Sequence, residues 1–162
     1  MMPADQAIGL GTDIAIMSLL ALSAYLVLLV GRISFGQQAF FGLGAYASAL
    51  ATVVAQWHLA PALLLGMGVG ALASALVALP TLRLSGLHYA VATLAFAEML
   101  RIALLSWQFT VERDGEMVGP DGSEGFGNIR FLLHGDVSPG GFLMVCLLIL
   151  AGVLLLLGLL EC

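Results

Sequence analysis

Apolar residues in this chain are grouped in long blocks separated by short polar stretches. Ile14 to Val30 is one such block, followed by Ala39 to Val54, Ala60 to Leu79, Leu87 to Trp107 and Gly141 to Leu160. At about 1.5 Å per residue, roughly 20 apolar residues cross the hydrocarbon of a bilayer as a helix. The pattern predicts an all-α membrane protein of about five transmembrane helices. The punctuation agrees. Pro61 suits the first turn of the third helix, Pro80 is expected to end it, and Trp57 beside Gln56 and His58 suits a membrane–water interface.

Two stretches break the pattern. Gly31 to Tyr46, GRISFGQQAFFGLGAY, joins the first two blocks and holds one arginine, one serine, two amides and four glycines. This much polarity and backbone freedom predicts an interrupted membrane helix, with the second helix able to be discontinuous near Gly42. Residues 108–140 carry six of the acidic residues and many glycines. They read as a long glycine-rich, water-exposed loop with a short amphipathic helix around Phe126 to Leu133.

Composition narrows the class. The chain has 162 residues, 61% hydrophobic and 9% charged, with a mean hydropathy of +1.09. A soluble domain carries about 25% charge, so lipid is the expected solvent. Five arginines, no lysine and a net charge of -5 provide no basic patch for nucleic acid. Cys146 and Cys162 make neither a disulfide framework nor a metal-ligand spacing, and no metal site is expected. The N-terminus lacks the basic segment of a signal peptide. Arg32 and Arg83 fall in the first and third connectors, which share a side. The positive-inside rule puts both in the cytoplasm and the N-terminus and the 108–140 loop outside it.

Candidate chemistry is sparse. Glu98 and Arg101 are three apart on the fourth helix and can form an ion pair. Glu98 lies near mid-span, where a charge must face protein or water. It either lines a translocation path or belongs to a buried structural pair. Ser34, Gln37 and Gln38 can hydrogen-bond a solute, and a broken helix beside them would aim N–H groups at an anion such as a carboxylate. Gly42 and Gly44, and the small-residue face Gly66, Gly70 and Ser74, suit close helix packing. No nucleophile–base arrangement and no Walker A loop occur, so neither catalysis nor ATP binding is expected of this chain.

The segment GRISFGQQAFFGLGAYASAL resembles a signature of branched-chain amino acid ABC permeases, and LPTLRLSGLHYAVATLAFAEMLRI resembles the next signature of that family, in the same order. The likeness runs from about Ala21 to Trp107, with GPDGSEGFGNI a looser match. The resemblance implies a multi-pass subunit of a bacterial inner-membrane importer for branched-chain amino acids, or for urea, amides or another small polar solute. It implies a second homologous permease, two cytoplasmic ATPase subunits that use ATP, and an extracytoplasmic solute-binding protein. Carried onto this sequence, the path-lining candidates are Ser34, Gln37, Gln38, Phe40 and Phe41, with Tyr89, Thr93 and Glu98. Family members continue well beyond this length into a cytoplasmic coupling segment. Residues 1–162 are therefore expected to be a single but incomplete, N-terminal part of a permease domain that does not couple to ATP hydrolysis alone. A passive channel assembled through Gly66 and Gly70, or a fragment that only assembles in the membrane, are the rival readings.

Overall fold

The structure is a computed structural model that describes residues 3–55, 57–81, 83–113, 116–122, 125–127 and 139–161. Among the described residues, five helices carry the fold: α1 (Pro3–Leu29), α2 (Gln37–Val53), α3 (Leu59–Thr81), α4 (Leu87–Ser106) and α5 (Pro139–Glu161). Four of them, α1, α3, α4 and α5, are long and apolar enough to cross a membrane. At 17 residues, α2 is the shortest. Among the described residues between α4 and α5 lie three short strands, β1 (Val111–Arg113), β2 (Glu116–Pro120) and β3 (Phe126–Gly127).

Helix ends depart from the hydropathy blocks for local reasons. The polar lead-in is helical, because α1 starts at Pro3 and runs through Gly9 and Gly11 into the apolar block. Pro tolerates a first turn, where its missing N–H is not needed. At the other end of the third block, Pro80 lies inside α3, which continues to Thr81. The Thr81 hydroxyl donates to the Val77 carbonyl at 2.7 Å, closing the last turn with a side chain.

The expected break near Gly42 does not occur. Helix α2 is continuous from Gln37 to Val53, and the interruption is the non-helical stretch before it. The glycines of α2 serve packing instead. A Cβ on Gly44 would sit 2.9 Å from the Gly66 carbonyl oxygen, and one on Gly66 would sit 2.6 Å from the Gly44 carbonyl oxygen. The two backbones touch, so neither position has room for a side chain. Gly70 extends this contact, with its would-be Cβ 3.3 Å from the Phe40 carbonyl, whereas Gly42 faces Leu104 of α4 at an ordinary 3.7 Å.

The helices associate as α2 with α3 and α1 with α5, and α4 rests mainly on α2. Gly11 of α1 lies against Leu143 of α5, with a would-be Cβ 3.4 Å from the leucine side chain. Among the described residues the buried hydrophobic positions are mostly alanines, Ala15, Ala39, Ala51, Ala62, Ala90 and Ala97, with Val53, Cys146 and Leu157, while large leucines such as Leu64, Leu72, Leu148 and Leu159 point outward. This is the reverse of a soluble core. It follows from a solvent as apolar as leucine, in which close approach of backbones holds helices together.

The acidic connector is more ordered than a loop where it is described. Its strands form an antiparallel sheet in the order β1-β2-β3, with Val111 opposite Val118 and Pro120 opposite Phe126. Phe126 and Gly127 are thus strand rather than helix, and the rest of the expected amphipathic helix lies outside the described residues. The sheet is anchored to the end of α4: the Phe109 N–H donates to the Pro120 carbonyl at 2.9 Å and the Gly122 N–H to the Trp107 carbonyl at 3.2 Å. Trp107 also stacks on Tyr46 of α2, with ring centroids 6.4 Å apart.

Candidate functional site

The interruption between α1 and α2 is built by its own sequence. Gly31 adopts φ +74°, a left-handed conformation that glycine takes without a Cβ clash. Its N–H donates to the Leu28 carbonyl at 2.8 Å and the Arg32 N–H to the Val27 carbonyl at 3.3 Å. This pair of bonds is the Schellman closure of a helix C-terminus. The chain then runs without regular secondary structure from Arg32 to Gly36 before α2 starts.

Polar contacts hold that connecting segment. The Ser34 hydroxyl accepts the Gly36 N–H at 3.2 Å, a local turn that shapes the entry to α2. The Phe35 N–H donates to Thr93 Oγ1 of α4 at 3.1 Å, and that hydroxyl donates to the Ala90 carbonyl at 2.9 Å. Arg32 donates to the Leu84 carbonyl at 3.4 Å and sits over the Tyr89 ring at 5.0 Å from its centroid. The first and third connectors therefore meet on one side of the molecule.

Against α1 this segment leaves an open groove of about 400 Å³. Met17, Ala21 and Leu28 of α1 form its apolar wall, and Ser34, Gln37 and Gln38 supply its polar one. The volume is within the range of about 300–1,000 Å³ that small-molecule sites occupy. Hydroxyl and amide groups here both donate and accept, and the first turn of α2 directs its backbone N–H groups to this end.

The structure brings only some of the predicted path residues together. Ser34, Gln37 and Gln38 share the groove. Thr93 is only 3% exposed, with its hydroxyl already engaged, so it positions the connector. Tyr89 lies beneath Arg32. Phe40 packs on Phe96 with centroids 5.6 Å apart, a wedge between α2 and α4. Phe41 is 51% exposed. Glu98 is not among the residues that line the groove, and it lies about 100° around α4 from the buried Ala97. It forms a two-pronged pair with Arg101, 2.6 Å from Nη2 to Oε1 and 2.9 Å from Nε to Oε2. The pair is not buried: the Arg101 and Glu98 side chains are 60% and 53% exposed.

Sequence reasoning missed the part played by Arg32, which it used only to orient the chain. The available signal was a charged residue embedded in the glycine-rich stretch. It also missed the α1 wall, which no local motif marks.

Comparison with known families bears directly on this bundle of apolar helices. The sequence profile of the branched-chain amino acid transport system permease component matches residues 7–160. The chain belongs to this permease family. No curated protein and no solved structure matches it. As a family member with four helices able to span a bilayer, it is a multi-pass inner-membrane protein and a component of a transport system.

Proposed function

We propose that the chain is a membrane-spanning permease subunit of an ABC importer for branched-chain amino acids, and that the groove beside the α1–α2 connector is part of the translocation path. The observation that carries this reading is the gathering of Ser34, Gln37 and Gln38 in one groove at the start of α2. A solute amino group would meet the hydroxyl and amide oxygens, and its carboxylate would meet the N-terminal end of α2. Met17, Ala21 and Leu28 would receive the aliphatic side chain. Thr93, Tyr89 and Arg32 position the connector from α4 and the third connector.

In this reading a second homologous permease completes the path and two cytoplasmic ATPase subunits consume the ATP. An extracytoplasmic solute-binding protein delivers solute on the side of the β1–β3 sheet. This chain binds no nucleotide and does no covalent chemistry. The side where Arg32 meets Leu84 is cytoplasmic.

One observation favours a neutral solute as the alternative: the residues lining the groove include two amides and no charged side chain. Urea or an amide would hydrogen-bond there without a counter-ion. Uptake of labelled leucine by the assembled transporter, with Gln37→Leu and Gln38→Leu introduced together, tests the proposal. A fall of tenfold or more at unchanged membrane level is expected. Unchanged uptake would remove the groove from the path, and competition by urea but not by isoleucine or valine would select the alternative.

A further inference from the structure

The α1 wall of the groove continues beyond it toward the N-terminus. Asp13, Met17, Ala21, Ala24 and Leu28 are spaced four, four, three and four apart, which keeps them within about 80° of one another around the helix. Gly11 and Ala15 lie about 160° around α1 from Asp13, and there Gly11 rests against Leu143 of α5 and Ala15 is buried. The Asp13 face is thus turned away from α5. A second hollow, of about 370 Å³, opens at Asp13, Met17, Ser18 and Ala21. Met17 and Ala21 also line the groove that holds Ser34, Gln37 and Gln38, so the two hollows adjoin along one side of α1. Asp13 lies inside the apolar span Gln6–Leu29, about two turns from its first residue. It is exposed, and no hydrogen bond or ion pair joins it to the described residues. Glu98, the other acid within a described span, has Arg101. Ser18 does not serve Asp13, because its hydroxyl donates to the Ile14 carbonyl at 2.7 Å. A carboxylate inside an apolar span needs water or a cation beside it.

We propose that Asp13 is an entry station for the ammonium group of an aliphatic amine solute, separate from the groove and ahead of it. The inference rests on the proposed function for the direction of travel, in which the Asp13 end of α1 faces outward and the groove lies toward the cytoplasm. Asp13 is about 12 Å along the helix axis from Ala21, so a small solute leaves the carboxylate before it reaches the amides. At the station the ammonium meets the Asp13 carboxylate, and the aliphatic part of the solute lies on Met17 and Ala21. The same two side chains then carry it into the groove. The groove has no charged side chain, so it cannot by itself favour an amine over a neutral amide. Asp13 supplies that discrimination. Urea and simple amides form no ion pair there, and an acid without an amino group is repelled.

The experiment uses right-side-out membrane vesicles holding the assembled transporter, with Met17→Cys in this chain and Cys146 and Cys162 replaced by alanine. Met17 is one turn from Asp13 and lines both hollows, so it reports on the station without removing its charge. A membrane-impermeant thiol reagent is expected to modify Met17→Cys from outside. At constant ionic strength, isoamylamine, which is leucine without its carboxylate, should slow that modification about fivefold, whereas isocaproate, which is leucine without its amino group, should not. Asp13→Asn should remove the protection by isoamylamine, and Asp13→Glu should keep it. The KM for leucine uptake should rise about fivefold in Asp13→Asn with kcat unchanged, as expected where binding alone is lost. A Met17→Cys thiol that never reacts, protection by isocaproate or sodium ion equal to that by isoamylamine, or protection that persists in Asp13→Asn would each overturn the proposal. Amine protection that requires Asp13, found together with normal uptake in the Gln37→Leu, Gln38→Leu variant, would support the station and refute the groove, so the two readings fail separately.

Discussion

The α1–α2 connector and the outward face of α4 both place polar groups in an apolar molecule, and they treat them in opposite ways. The connector is tied to α4 through Thr93 and to the third connector through Arg32 and Leu84. Glu98 and Arg101 bond to each other while both remain more than half exposed. The first arrangement is complete within the chain: its backbone is fixed by the protein, and its remaining polarity is turned into a groove. The second satisfies its charges pairwise but leaves them facing outward. In lipid that difference is what sets the groove apart as the proposed solute site.

The firmest way to break the connector is to remove its platform. In Gly66→Val the added side chain would enter the space held by the Gly44 carbonyl, 2.6 Å from the first added carbon. Overpacking of this kind costs about 1–3 kcal/mol or more. A large loss of folded protein on size-exclusion chromatography is expected, together with the largest drop in Tm among these variants. Thr93→Val comes next. It leaves the Phe35 N–H without its acceptor, at about 1–3 kcal/mol, whereas Thr93→Ser keeps the hydroxyl and should behave as wild type. Equal Tm values for the two variants would show that the bond does not hold the connector.

Smaller effects sharpen the same contrast. Gly31→Ala puts a Cβ on a residue at φ +74°, at about 1–2 kcal/mol, and should raise proteolysis at the connector without dissociating α2 from α3. Arg32→Gln removes the cation over Tyr89, an interaction of about 0.5–1 kcal/mol, and should lower Tm least. A larger loss of Tm in Arg32→Gln than in Gly66→Val would reverse this order and make the cation, not the glycine contact, the stronger support.

Much of this architecture is legible in hydropathy. Apolar blocks locate the five described helices because a bilayer demands long uninterrupted apolar runs, and Gly66 with Gly70 announces close packing. Other features depend on partners distant in sequence. That α2 passes unbroken through Gly42 and Gly44 is explained by a neighbour on α3, not by anything in α2 itself. Thr93 looks like a free hydroxyl in sequence, and only the fold sets Phe35 against it. The direction of Glu98 is hidden because α4 is apolar on nearly every side, so composition does not fix its rotation. The short strands are concealed by glycines, prolines and acids that read as loop. The serine and two amides of the groove are visible as candidates, whereas the α1 wall that encloses them is not.

The central claim is that the groove at the start of α2 receives a travelling solute. Its most direct test is labelling of Ser34→Cys by a membrane-impermeant thiol reagent on inside-out membrane vesicles, which expose the side assigned to the connector, in a chain whose Cys146 and Cys162 are replaced by alanine, with and without leucine. The Ser34→Cys thiol is expected to react, and leucine to slow the reaction several-fold in a saturable way. A thiol that reacts at the same rate whatever solute is present, or one that never reacts, would contradict the claim.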